Sequence, residues 1–498
     1  MKMIDLPAFP SAFRPSLLAA ALLLAGCAAP PPADLAALSA APARFKEAPA
    51  DGAAPAAGAP RWTEAPPAEA LPRGAWWRLF GDPALDALAE RAGAANTGIR
   101  EAAARLARAR ALLRGAEAER LPQAGLGGGL VRQAGADTVN GAAPATLGRA
   151  GASLSWEPDL FGRLARVRDA AALDAAAQAA LLESTRLLVQ ADTVQAYLAL
   201  RAADEERGLV RETVEAYRGS LGLAERRFAA GEVAEIDVVR LQAELAATEA
   251  DALAIDRRRA LLEHALAVLA GAAASDFALP AVPGWRAALP SVPAGVPGTV
   301  LARRPDVSAA QAALLAAQAR VGVAQAAWFP SVSLTGAGGF ASTDLGDLFR
   351  WSARAWSLGA LLSVPVFDGG RRAAGIADAR ARLDEATAGY RGQVLAAFRE
   401  VEDQLAALRI LADEAAAQAR AVEAARRATA LSESRWRNGL VSQIELLDAR
   451  RSELRNRRAA LQVQAARRQA TVALVKALGG GWDAAPAQAR AVPAPAPR

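Results

Sequence analysis

The chain has one cysteine and one histidine among 498 residues. One cysteine, Cys27, excludes an intrachain disulfide. One histidine, His264, has no cysteine beside it and gives no support to a zinc site or a Ser-His-Asp triad; it reads as a surface helix residue. Gly125 and Gly127–Gly129 lack the strand–turn–helix context and the lysine of a phosphate-binding loop, and read as strand glycines. No enzyme activity, cofactor or metal is therefore expected. Proline is missing from Asp159–Leu279 and from Val366–Ala485, so nothing there must interrupt a helix. Beyond the N-terminus no run of about 18 apolar residues occurs, which speaks against a further transmembrane helix. The hydrophobic share of 53% is inflated by alanine. Net charge is +6, but the arginines alternate with acids, as around Arg399, Glu400, Glu402, Asp403 and Arg409. That pattern is a solvated, ion-paired helix face rather than a nucleic-acid stripe.

What is present begins at the N-terminus. Lys2 and Arg14 precede an apolar stretch, Leu17–Leu24, too short to span a membrane, and Leu24-Ala25-Gly26-Cys27 closes it with small residues. This resembles a bacterial lipoprotein signal (1–26), which implies an acylated Cys27 at the start of the mature chain. Ala28, rather than an Asp, implies transfer to the outer membrane. Acyl chains anchor a protein to a bilayer without spanning it. An Ala/Pro-rich tether (27–75) follows. At Asp82-Pro83 an N-cap and an N1 proline predict the start of a short helix.

Two stretches then share one pattern. Asn438-Gly439 reads as a helix stop, and Ser442 with Glu445 as a capping-box restart. Arg227–Asp237 repeats this turn around Gly231. Phe228 and Trp436, Ile236 and Ile444, and Asp237 and Glu445 all stand at one constant separation, and so do Ile99 and Val307, Pro122 and Pro330, and Gly271 and Gly479. The chain reads as a duplication. Repeat 1 (76–271) and repeat 2 (305–479), joined by a linker (272–304), each run helix, strand pair (121–160; 329–367), long helical hairpin (163–270; 371–478). A C-terminal tail (480–498), partly disordered, closes the chain.

Helices of 163–229 and 371–437 would each rise about 100 Å at roughly 1.5 Å per residue. Ile376, Leu383 and Tyr390, then Val394, Val401 and Leu408, recur by sevens, a coiled-coil period. Period-2 alternation in Ala152–Trp156, Ser331–Thr335 and Trp356–Ala360 predicts strands, with loops at 137–148 and 341–353. Apolar residues on one face and small or polar ones on the other suit a membrane barrel, with Trp351 and Trp356 as girdle or core aromatics. Four strands cannot close, and open edges cannot sit in lipid. The chain must then oligomerise, and three copies give twelve strands, enough for a lumen.

Together, Trp76-Trp77-x-x-Phe80-Gly81-Asp82-Pro83, Arg303-Arg304-Pro305-Asp306-Val307, Phe329-Pro330-Ser331, Pro365–Gly370, Gly439–Asp448 and Ala477–Trp482 resemble the outer-membrane efflux protein family, especially its lipidated members that serve resistance–nodulation–division pumps. The resemblance implies a mainly α protein whose duplicated hairpins form a periplasmic α-barrel. Four strands per chain would join a trimeric twelve-strand outer-membrane β-barrel. It implies a homotrimer, a periplasmic adaptor protein, an inner-membrane pump and outer-membrane lipid as partners, with no nucleic acid. Asp237, Trp436, Glu445 and Asp448 fall at the periplasmic gate, and Gly231, Gly439, Leu440 and Val441 at the adaptor-contact tip. Glu445 and Asp237 also have local roles open to them, as capping partner of Ser442 and ion-pair partner of Arg240. Val441 and Trp436 stand where relatives have an Arg and a Tyr that hold the pore shut, so closure is expected to rest on packing more than on ionic locks. The rival readings are a periplasmic coiled-coil scaffold lipoprotein and an exit duct for type I secretion or heavy-metal efflux.

Overall fold

The computed structural model describes residues 35–42, 44–47, 75–134, 144–290, 292, 300–301 and 303–480. Cys27, the signal segment, most of the tether and the tail after residue 480 lie outside the described residues. The described elements run α1 (Pro83–Ala95), α2 (Thr97–Ala118), β1 (Gln123–Gln133), β2 (Ala145–Trp156), α3 (Arg163–Ala229), α4 (Glu235–Leu269), α5 (Pro305–Ala326), β3 (Ser331–Ser342), β4 (Arg354–Ser363), α6 (Arg371–Arg437) and α7 (Gln443–Ala477). From α2 on, the same order of elements occurs twice. Two compact units emerge: one draws on 108–176 and 311–389, the other on 39–107, 177–310 and 390–498. Each unit takes segments from both repeats.

The first unit holds an antiparallel sheet in the order β1-β2-β3-β4. Its register sorts most of the side chains, with Val131, Leu147 and Leu361 as apolar exceptions on the polar face. Leu126 lies opposite Ala152, Leu154 opposite Gly336, Gly336 opposite Leu358, and Val332 opposite Leu362. Residues directly opposite share a face, so these form one apolar face. The other face carries Gln123, Ser153, Ser155, Ser333, Thr335 and Ser357. On it Gly151 and Gly339 lie opposite each other. A Cβ on Gly339 would stand 2.3 Å from the Ala150 carbonyl oxygen, and one on Gly151 2.7 Å from that of Gly338. No side chain fits at these two positions.

The strands run further than their alternation predicts. Ala145–Gly148 open β2 and Ala341–Ser342 close β3, inside the expected loops. Small residues give no readable period, and the ladder with neighbouring strands holds these positions instead. At the other end of the sheet Phe161 and Phe329 stack at 5.1 Å, and the Trp156 indole N–H donates to the Arg120 carbonyl at 3.0 Å. Among the described residues α5 is the one helix long and apolar enough by composition to cross a bilayer. Its apolarity comes mostly from alanine, and Leu314, Ala316 and Val321 are buried as packing residues.

The second unit is cored by Trp76, Trp77, Phe80, Leu85, Tyr197, Leu266 and Val472. Removing each such aromatic from water contributes about 2–3 kcal/mol. Asp82 explains the motif around it. Its Oδ1 caps α1 by accepting from the Ala84 and Leu85 N–H groups, while Oδ2 accepts from the Tyr197 hydroxyl at 2.6 Å and the Trp285 indole at 2.7 Å. Burial alone would raise the Asp82 carboxyl, but these donors outweigh it and hold it below the ordinary value of 3.8. Burial and the Asp82 bond push the Tyr197 hydroxyl up to about 12. Arg304 does the same service for the second repeat. It pairs with Asp306 through two nitrogens, with Glu400 at 2.7 Å, and donates to the Ala477 carbonyl at 3.0 Å. An N-terminal clasp joins this unit as well. Phe45 is buried against Phe398, Val401, Leu405 and Leu474, and the Lys46 and Glu47 N–H groups both donate to the Glu402 carboxylate, at 2.6 and 2.9 Å.

Candidate functional site

Both tip turns lie in the second unit and share one backbone solution. Gly231 sits at φ 74° and Gly439 at φ 73°, the left-handed region that side chains avoid. After α3 the Gly231 N–H donates to the Phe228 carbonyl and the Glu232 N–H to that of Arg227. After α6 Gly439 donates to Trp436 and Leu440 to Arg435, all at 2.8–2.9 Å. This is the paired bonding that closes a helix C-terminus around a left-handed glycine.

The restarts differ. Ser442 caps α7 by accepting from the Glu445 N–H at 3.3 Å, whereas Ala234, its counterpart before α4, makes no side-chain cap. The capping box is half formed, since no bond from the Glu445 carboxylate to the Ser442 N–H is present among the described residues. Glu445 is exposed, as are Gly231, Gly439 and Leu440, while Val441 and Asp237 are half-buried. Asp448 is exposed and approaches Arg451 at 3.5 Å. Leu446 and Leu447, between the two acids, are buried, so Glu445 and Asp448 share the opposite, solvated face of α7. No Asp237–Arg240 ion pair forms among the described residues. Trp436 is half-buried, and the Arg227 guanidinium lies over its ring at 5.3 Å, a cation–π contact from the first hairpin to the second.

Ion pairs and a charged hydrogen bond tie the hairpins together, away from Val441. Arg450 donates to the Ser220 hydroxyl at 2.7 Å, Arg451 to Glu244 at 2.6 Å, Arg457 to Glu212 at 3.3 Å, and Arg458 to Glu206 at 3.0 Å and Asp251 at 2.6 Å. Buried beneath them is Tyr217, whose hydroxyl is pushed up to about 12 by its burial and then by Glu244. The expectation of closure by packing thus meets a ladder of arginines on α7. Its signal in the sequence is the seven-residue recurrence of Arg450 with Arg457 and of Arg451 with Arg458.

The sheet supplies a second functional surface. On its apolar face Leu126, Trp356 and Leu358 are largely exposed, and Trp351 and Phe349 beside it are exposed too. A solvent-facing sheet of this kind is a membrane or partner surface. Trp351 and Trp356 are therefore surface aromatics rather than core. His264 is exposed on α4.

Residues 88–272 and 296–480 each match the outer membrane efflux protein family, and the chain belongs to that family. It is 36% identical over 329 residues to outer membrane protein OprJ of Pseudomonas aeruginosa, covering 66% of this chain and 69% of OprJ. To the cation efflux system protein CusC of Escherichia coli O6:H1 it is 30% identical over 410 residues, covering 82% and 88%. The solved structure of the outer-membrane channel OprN superposes with a TM-score of 0.81 at 31% identity, over 89% of this chain and 97% of that one.

Proposed function

We propose that the protein is the outer-membrane channel of a tripartite efflux system, a passive duct that performs no chemistry on what passes. The observation that carries this is the sheet: one face apolar and exposed, the other mostly small and polar, with β1 and β4 at its edges. In lipid such edges must be paired, and a homotrimer pairs them by closing a twelve-strand barrel. Cys27 anchors the chain to the same membrane. Residues 76–95, 272–304 and the tail after Gly479 make an equatorial belt, and the helical hairpins extend into the periplasm. The turns at Gly231, Gly439, Leu440 and Val441 meet the hairpins of a periplasmic adaptor bound to an inner-membrane resistance–nodulation–division pump. Asp237, Glu445 and Asp448 line the periplasmic aperture, where rings of carboxylates favour cations. Trp436 and the arginine ladder of α7 hold the second hairpin against the first until adaptor contact turns it outward.

Reconstitution of the full chain into planar bilayers tests this. Discrete conductance steps are expected, and their absence from correctly extracted protein would leave the scaffold reading. Cys27→Ser should lose its acyl chains and still assemble, because the barrel itself holds the membrane; a variant that never assembles would contradict that division of labour.

A further inference from the structure

The apolar face of the sheet carries two charges, and both are arginines at the same end. Arg132 lies near the close of β1 and Arg354 at the opening of β4, next to the loops 134–144 and 343–353 rather than the ends that continue into helices. The Arg354 guanidinium stacks on exposed Trp351 at 4.3 Å, and no carboxylate pairs with it among the described residues. Arg132 donates to the Thr146 hydroxyl at 3.3 Å and has no carboxylate partner among the described residues. A guanidinium facing hydrocarbon is costly, so two on this face suit an anion at the bilayer surface.

The duplication says where these residues meet. β1 corresponds to β3, and β2 to β4, at the constant separation that relates Gln123 to Ser331 and Thr146 to Arg354. Within one copy β2 pairs with β3 so that Ala150 lies opposite Phe340. The same register applied between β4 and the β1 of the next copy places Leu358 opposite Arg132. Arg354 then lies on one side of Trp356 and Arg132 of the next copy on the other, all on the lipid face. Four residues of strand separate the two cationic rows, about 13 Å, a span for a headgroup bearing two phosphates.

We propose that each β4–β1 seam of the assembled barrel binds the phosphorylated headgroup of an outer-leaflet glycolipid, between Arg354 of one copy and Arg132 of the next. Guanidinium pairs with phosphate through two parallel hydrogen bonds, and Trp356 supplies the interfacial aromatic between them. This rests on the trimeric channel reading above.

Native mass spectrometry of the full-length trimer in detergent, titrated with diphosphorylated lipid A, tests it. Retention of up to about three lipids per trimer is expected. Arg132→Gln with Arg354→Gln, or lipid A stripped of its phosphates, should weaken retention about tenfold, the loss of one bidentate phosphate contact at each end. Inorganic phosphate should not displace the lipid. Equal retention by the double variant or by the dephosphorylated lipid overturns the proposal, and displacement by inorganic phosphate overturns it in favour of a bare anion site. The double variant should conduct like wild type in planar bilayers, whereas a wild type without conductance would instead sink the channel reading. Leu361→Cys with Gly129→Cys, opposite each other by the same symmetry, should crosslink neighbouring copies. A crosslink found only with Val131→Cys in place of Gly129→Cys would shift the register and remove Arg132 from the site.

Discussion

The two tip turns are one backbone built twice with different chemistry. Gly231 and Gly439 differ by a degree in φ, and both helices end in the same pair of bonds. Around that shared frame Ala234 corresponds to Ser442, Asp237 to Glu445, and Arg240 to Asp448. The first copy offers an acid and a base three residues apart, without a cap, and has Glu232 and Glu235 where the second has Leu440 and Gln443. The second offers two acids on one solvated face, with a cap. Geometry is therefore common property of the tips, whereas the placement of the acids differs, and α7 also carries the arginine ladder.

The largest test of this asymmetry is electrical. Glu445→Gln with Asp448→Asn should lower cation-over-anion permeability about fivefold, the factor that roughly 1 kcal/mol of charge attraction in water supplies. Asp237→Asn with Arg240→Gln should leave it nearly unchanged. Equal effects from both pairs would erase the distinction between hairpins. The backbone that the tips share gives a second test of similar size. Valine at Gly231 or Gly439 should cost about 1–2 kcal/mol at either turn, since nothing crowds the site and only the left-handed φ resists. A melt showing a clear difference between them would mean the turns are not equivalent. Drug resistance in cells, which reads adaptor docking, should fall for charged substitutions at both glycines.

A smaller effect is expected of the ladder. Glu244→Gln should reduce the barrier to opening by about 1 kcal/mol, seen as a higher open probability, because Arg451 is itself nearly half exposed. Val441→Ala, at the position where an ionic lock was sought, should change it less. The smallest change is the cap. Ser442→Ala should cost about 1 kcal/mol or less and show as faster amide exchange in the first turn of α7, with no counterpart from Ala234→Gly.

Much of this was legible because duplication and punctuation are written locally. Gly439 after Asn438, Pro83 after Asp82, and the constant separation of matched residues mark helix ends without knowledge of packing. Three things were not. The strand starts at Ala145 are too small to alternate. The ties of Arg450, Arg451 and Arg458 join residues more than two hundred positions apart, and nothing adjacent to Ser220 or Glu244 announces them. Phe45 is one aromatic in a tract of alanine and proline, and the Glu402 carboxylate that receives its neighbours' N–H groups lies far along the chain. The gate acids were placed by motif, and their exposure on α7 is compatible with that placement.

The Phe45 clasp has a mechanical consequence. Between Cys27 and Phe45 the chain can stretch to at most about 60 Å. Were Cys27 acylated as proposed, a pull on its acyl chain would end at Phe45 and Glu402 and be borne by α6 at Val401 and Leu405. The proposed anchor would then be a leash of fixed length, tied to the helix that runs to the tip turn at Gly439.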